Sequence, residues 1–122
     1  QRDNSKPVYY LYQLIYDEKV TGVSRKMLVK ALEAEGFPCL VGYLNPLYNL
    51  PIFKKQIAIG NKGFPFNLTD INYKDVYCKN AEDLYRNKLI GFDICNFDIN
   101  DNETDQLINA FIKVFTNIDE LR

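Results

Sequence analysis

Pro46 and Pro51 lie five residues apart inside the apolar run from Leu44 to Phe53, and they constrain the fold more than any other feature of the chain. Each proline fixes its own φ and lacks an N–H, and each biases the residue before it toward extended backbone. Neither a regular strand nor a helix interior can pass through such a segment. Its apolar side chains still need cover, so an ordered loop packed against the body of the domain is expected. Residues 54–75 continue irregularly, broken by Gly60, Gly63 and Pro65.

On either side of this segment, regular elements are legible. Residues 1–7 form a polar tail. Residues 8–16, Val-Tyr-Tyr-Leu-Tyr-Gln-Leu-Ile-Tyr, are largely β-branched and aromatic, which predicts a strand with both faces at least partly covered. Val8, Tyr10, Tyr12, Leu14 and Tyr16 would line one face, and Tyr9, Leu11 and Ile15 the other. Ser24 is placed to cap a helix from about Arg25 to Glu35, with Leu28, Ala31, Leu32 and Glu35 on one stripe and Met27 and Ala34 beside it. Gly36, Phe37 and Pro38 end that helix: a left-handed residue, an apolar residue that folds back, and a residue that cannot continue. Residues 39–44 predict a second strand. Asn80 would cap a short helix to about Asn87, and Leu89 to Ile94 would form a third strand. Asn100 and Glu103 have capping-box spacing at the head of a helix reaching Leu121. In it Leu107, Phe111, Val114, Ile118 and Leu121 repeat at intervals of 4, 3, 4 and 3, an apolar stripe for docking. The order β-α-β-loop-α-β-α predicts an α+β two-layer sandwich, a small sheet with helices packed on one face. It leaves open whether the first two strands run parallel or antiparallel.

Composition narrows the chemistry. At 122 residues the chain suits one domain with a real core. Fifteen Lys and Arg against sixteen Asp and Glu leave no basic footprint for nucleic acid. The chain has no His, which removes Ser-His-Asp and Cys-His catalysis and every His-ligated metal site. Cys39, Cys78 and Cys95 lack CxxC spacing, so reduced thiols in a cytoplasmic protein are expected, with no metal site. No apolar run reaches membrane-spanning length, and the polar N-terminus does not read as a signal peptide. The chain opens on Gln1, which predicts a fragment or a processed product. Gly60-Asn61-Lys62-Gly63 matches no phosphate-binding motif and reads as a turn. Asp98, Asp101, Glu103 and Asp105 read as the acidic first turn of a helix. Tyr43, Asn45, Tyr48 and Asn49, by contrast, put hydrogen-bonding tips among apolar groups in a proline-stiffened loop, a pattern suited to ligand contact.

The run Ser24-Arg25, Leu28, Ala31 to Pro38, Gly42-Tyr43, Pro46-Leu47-Tyr48 and Pro51-Ile52-Phe53 resembles the C-terminal small domain of the DegT/DnrJ/StrS sugar aminotransferases. The later run Cys78, Ala81-Glu82, Leu84-Tyr85, Leu89 to Ile94, Asn100-Asp101, Asp105-Gln106 and Ala110 to Val114 is similar to it too. The likeness spans about residues 8–121, and no single motif in it is diagnostic. It implies that residues 8–122 are the small domain of an aspartate-aminotransferase fold. It further implies a homodimeric enzyme that moves an amino group from glutamate or glutamine to a keto sugar or keto-cyclitol in amino-sugar biosynthesis. Pyridoxal 5′-phosphate and its Schiff-base lysine would belong to an N-terminal large domain that this chain does not contain, so no catalytic residue is assigned here and the chain alone should be inactive. The resemblance places the Pro46-Leu47-Tyr48 loop on the substrate side, with Tyr48, then Asn45 and Tyr43, as substrate contacts. Many members carry His where this chain has Tyr48; the Tyr form is more like the inosose and amino-cyclitol subgroup. Two other readings remain beside it: a stand-alone ligand-binding or regulatory module with a ferredoxin-like element order, and a degenerate domain kept for dimer contacts.

Overall fold

The computed structural model describes residues 3–122. Of the tail expected over residues 1–7, Gln1 and Arg2 lie outside the described residues, and Asp3 to Pro7 are exposed. Three strands form one sheet: β1 (Tyr12–Ile15), β2 (Leu40–Val41) and β3 (Leu89–Phe92). The sheet order is β1-β3-β2, and β3 is antiparallel to both neighbours. The first two strands therefore run in the same direction without touching. Tyr12 pairs with Phe92, Leu14 with Ile90, and Val41 with Ile90.

Among the described residues five α-helices accompany the sheet: α1 (Glu18–Thr21), α2 (Arg25–Ala34), α3 (Pro51–Lys54), α4 (Lys79–Asp83) and α5 (Asp101–Thr116). Ser24 caps α2 by accepting from the Met27 N–H at 3.3 Å. At the other end Gly36 adopts φ 84°, and the Phe37 N–H closes on Leu32 O at 2.8 Å. That closure turns Phe37 into the core, 4.3 Å from the Phe92 ring centroid. Both bonds of the capping box at α5 are made: the Asn100 N–H donates to Glu103 Oε2 at 2.9 Å, and the Glu103 N–H to Asn100 Oδ1 at 3.0 Å.

The core is where α2 and α5 cover one face of the sheet. Tyr16, Leu28, Val29, Leu32, Ile90, Phe92 and Val114 are its buried members. Tyr16 brings a hydroxyl inside, and that hydroxyl donates to Val23 O at 2.7 Å, so no polar group is stranded. The irregular stretch after α3 has a small cluster of its own. Phe53, Phe66 and Tyr73 pack with ring centroids 5.4 to 5.8 Å apart.

Several expectations are corrected. The first strand covers only Tyr12–Ile15, with Val8 before it 95% exposed, and only the face carrying Leu14 is packed, since Ile15 on the other is 71% exposed. The second strand stops at Val41 because Gly42 and Tyr43 both take positive φ, 81° and 107°, and turn the chain off the sheet. The proline segment is two short helical turns rather than a loop: a 3-10 turn at Leu47–Asn49 directly after Pro46, and α3 with Pro51 as its first residue. Proline is suited to a first position, where its missing N–H costs nothing. Asn80 lies inside α4, not before it; Cys78 heads that helix, its C=O already accepting from the Glu82 N–H at 3.0 Å. A π-helical turn at Leu84–Lys88 follows and delivers the chain into β3. The last helix ends at Thr116, and Ile118–Leu121 is a separate 3-10 turn. Of its stripe only Val114 is buried; Ile108 is half exposed.

Candidate functional site

The helical turns after Pro46 are held against α4 by one carboxylate. Glu82 is 5% exposed, the one charged residue among those described to be buried. Its Oε1 accepts from the Tyr48 hydroxyl at 2.9 Å and from Asn49 Nδ2 at 2.7 Å. Its Oε2 accepts from Arg86 Nε at 2.6 Å. A buried carboxylate is costly unless paired and hydrogen-bonded, and three donors meet that requirement here. Local geometry explains the placement. Glu82 and Arg86 are four residues apart where α4 runs into the π turn. Tyr48 and Asn49 are neighbours on the 3-10 turn that Pro46 initiates.

The Tyr48 hydroxyl also accepts from the Cys78 N–H at 3.2 Å, at the head of α4. Its proton is committed to Glu82 and one lone pair to Cys78, so it can offer a ligand only its remaining acceptor capacity. Lys54 Nζ lies 5.7 Å from the centroid of the Tyr48 ring and donates to Tyr73 O at 3.0 Å and Lys74 O at 3.3 Å. The electrostatics follow. Hydrogen bonds from Arg86, Tyr48 and Asn49 hold the Glu82 carboxyl below the ordinary range. Burial, with the hydrogen bond to Glu82, pushes the Tyr48 phenol up. A depressed carboxyl and a raised phenol make a clamp that stays in one protonation state near neutrality, not a proton shuttle.

Of the three residues expected to contact substrate, two join this arrangement. Tyr48 is its centre, and Asn45 reaches it through Asn49, whose Nδ2 lies 3.5 Å from Asn45 Oδ1. Tyr43 belongs elsewhere: it is 44% exposed, and its hydroxyl meets the Tyr10 hydroxyl at 3.4 Å. Asn49 belongs to the polar tips that the sequence singled out, whereas Glu82 was not among the expected contacts. The four-residue spacing of Glu82 and Arg86 was a visible signal for a paired carboxylate. The contact between Tyr48 and Glu82 crosses 34 residues of sequence and had none.

The same segment presents apolar side chains to solvent. Leu44 is 58% exposed, Leu47 59% and Ile52 45%. Cys39, Cys78 and Cys95 are free thiols, and burial with the nearby Glu33 pushes Cys39 up to about 11. Among the described residues no group of three His, Cys, Asp or Glu side chains could hold a metal ion, and no helix is long and apolar enough to cross a membrane. No protein family, curated protein or solved structure matches the chain.

Proposed function

We propose that this chain is the C-terminal small domain of a pyridoxal-phosphate-dependent aminotransferase of the DegT/DnrJ/StrS type, acting on a keto sugar or keto-cyclitol with glutamate or glutamine as donor. The observation that carries the reading is the clamp at Glu82. It stiffens the one segment that the family resemblance assigns to the substrate side, through Tyr48 and Asn49. Leu44, Leu47 and Ile52, exposed on the same segment, are apolar surface of the kind a second domain covers. Tyr48 and Asn45 contribute fixed polar edges to an active site completed by that domain. A hydroxyl whose proton is already donated selects a partner that itself donates, such as a sugar hydroxyl or the ammonium or amide of the amino donor.

On this reading pyridoxal phosphate and its Schiff-base lysine belong to the large domain, since no lysine of this chain matches the family's motif. Lys54 donates to Tyr73 O and Lys74 O, Lys88 pairs with Asp83 at 2.9 Å and Lys113 with Glu35 at 2.8 Å. The part played by this chain is then to orient substrate and exclude water.

The test is Tyr48→Phe in the complete enzyme. The expected result is a fall of about tenfold in kcat/KM for the amino acceptor, the loss of one hydrogen bond in a closed site. Unchanged kcat/KM for both substrates removes Tyr48 from the site.

A further inference from the structure

Arg25 is at odds with its own helix. It is the first residue of α2, directly after the Ser24 cap, and a cation at that end opposes the helix dipole. Its half-buried side chain leaves α2 and crosses to the π turn that follows α4. There Nη1 donates to Tyr85 O at 3.1 Å and to Leu89 O at 2.9 Å, and Nη2 donates to Arg86 O. The last carbonyls of a helix have no partner inside it and form the negative end of its dipole. One planar guanidinium meets both needs.

These carbonyls lie on the piece of chain that carries the clamp. Arg86 reaches Glu82 Oε2 from within the π turn. That turn closes five residues back rather than four, the Leu89 N–H bonding Leu84 O, so its register decides where Arg86 leaves the chain. Leu89 O also accepts from the Gly42 N–H at 3.2 Å, and a Cβ on Gly42 would stand 3.1 Å from Tyr85 O. The guanidinium therefore sits where α2, the end of β2 and the π turn converge.

We propose that Arg25 is a positioning residue for the candidate site: by holding the carbonyls of Tyr85, Arg86 and Leu89 it fixes the register from which Arg86 reaches Glu82, and through Glu82 it orients Tyr48 and Asn49. Lysine has the same charge, but a single ammonium on a flexible stem does not reproduce the rigid fork. The link from Arg25 to Glu82 stands whatever the chain catalyses; its consequence for substrate rests on the aminotransferase reading.

The experiment is an NMR titration of the Glu82 carboxyl in the 122-residue chain and in Arg25→Lys. Tyr48, Asn49 and Arg86 face that carboxyl, with Cys78 and Lys54 beside Tyr48. All three hydrogen bonds lower it, Arg86 most, so a displaced Arg86 raises the midpoint toward the ordinary carboxylate range. Arg25→Lys is expected to raise it, and to move it no further in an Arg86→Ala background. A folded Arg25→Lys chain with an unaltered Glu82 midpoint overturns the proposal, as does an equal shift with and without Arg86. The unaltered chain gives a check that needs no variant: the Arg25 Nη protons should be separately resolved and slow to exchange, and averaged ones overturn the proposal too. In the complete enzyme Arg25→Lys should lower kcat/KM for the amino acceptor about tenfold, and by less than about twofold once Tyr48 is Phe. Additive losses contradict the route through Tyr48. Unchanged kcat/KM in Tyr48→Phe, beside a Glu82 midpoint that Arg25→Lys does move, would retire the aminotransferase reading and leave the Arg25 link intact.

Discussion

The hydroxyl of Tyr48 donates to the buried carboxylate of Glu82 at 2.9 Å, across 34 residues of chain. This contact joins the proline segment to α4 and fixes the geometry of the candidate site. Replacing Glu82 with Gln keeps the shape but removes the charge that Arg86, Tyr48 and Asn49 all address. The melting midpoint is expected to drop by about 5 °C. Arg86→Ala, which removes the most exposed donor, should cost less. Thermal denaturation followed by circular dichroism checks both, and an unchanged midpoint in Glu82→Gln would show that the clamp is idle.

The same contacts set a pH dependence. Glu82 is depressed chiefly by Arg86, and Asp83 is depressed by Asn87 and Lys88. A group lowered on folding contributes stability above its unfolded pKa and loses it as pH falls through the folded one. Tyr48 is raised by burial, so its contribution is present below the ordinary phenol range and lost as pH rises through the folded value. Burial raises Cys39 to about 11 as well, and its contribution is lost as pH rises above the ordinary thiol range, so stability should be flat from about pH 5 to about pH 8 and decline on both sides. In Glu82→Gln the acid decline should shrink, leaving the part due to Asp83. Urea midpoints measured across pH read this directly.

Leu32 is fully buried under the sheet, whereas Ile15 stands 71% exposed on the opposite face. Leu32→Ala should cost about 3 kcal/mol, the transfer and cavity terms together. Ile15→Ala should change the stability of the monomer by less than about 0.5 kcal/mol. Equal losses in urea unfolding would mean that the open face is covered in solution even at low concentration.

Two glycines with left-handed backbone separate strain from crowding. A Cβ on Gly36 would meet nothing within 4 Å, so Gly36→Ala should cost only the backbone term, about 1 kcal/mol. A Cβ on Gly42 would sit 2.8 Å from Tyr85 Cδ2 and 3.1 Å from Tyr85 O. Gly42→Ala should cost about 2 kcal/mol or more, since the ring and the β2 turn must both shift. Matching losses would contradict the packing of Tyr85 on that turn.

What was legible in the sequence was local. The Ser24 cap, the Gly36 stop and the Asn100–Glu103 box each depend on residues within a few positions, and all three are in the structure. The three-strand count was legible too. What was not is anything decided by distant partners. The central place of β3 between β1 and β2 depends on a crossover that no periodicity encodes. The aromatic run 8–16 suggested two covered faces, yet only Tyr12–Ile15 pair, because the run outlasts the strand it meets. In the candidate site, Tyr48 stood out as a polar tip in an apolar segment. Glu82 looked like one more helical carboxylate, because its burial comes from a segment 34 residues earlier.

The central claim is that this chain completes the active site of a cofactor-dependent aminotransferase. The most direct measurement is made on the natural gene product, purified from its source cell. The account predicts a chain a few hundred residues longer than this one, with a cofactor absorbance band that borohydride abolishes and amino transfer from glutamate or glutamine to a keto sugar or keto-cyclitol. A natural product of this size, with no such band and no transfer activity, would contradict it.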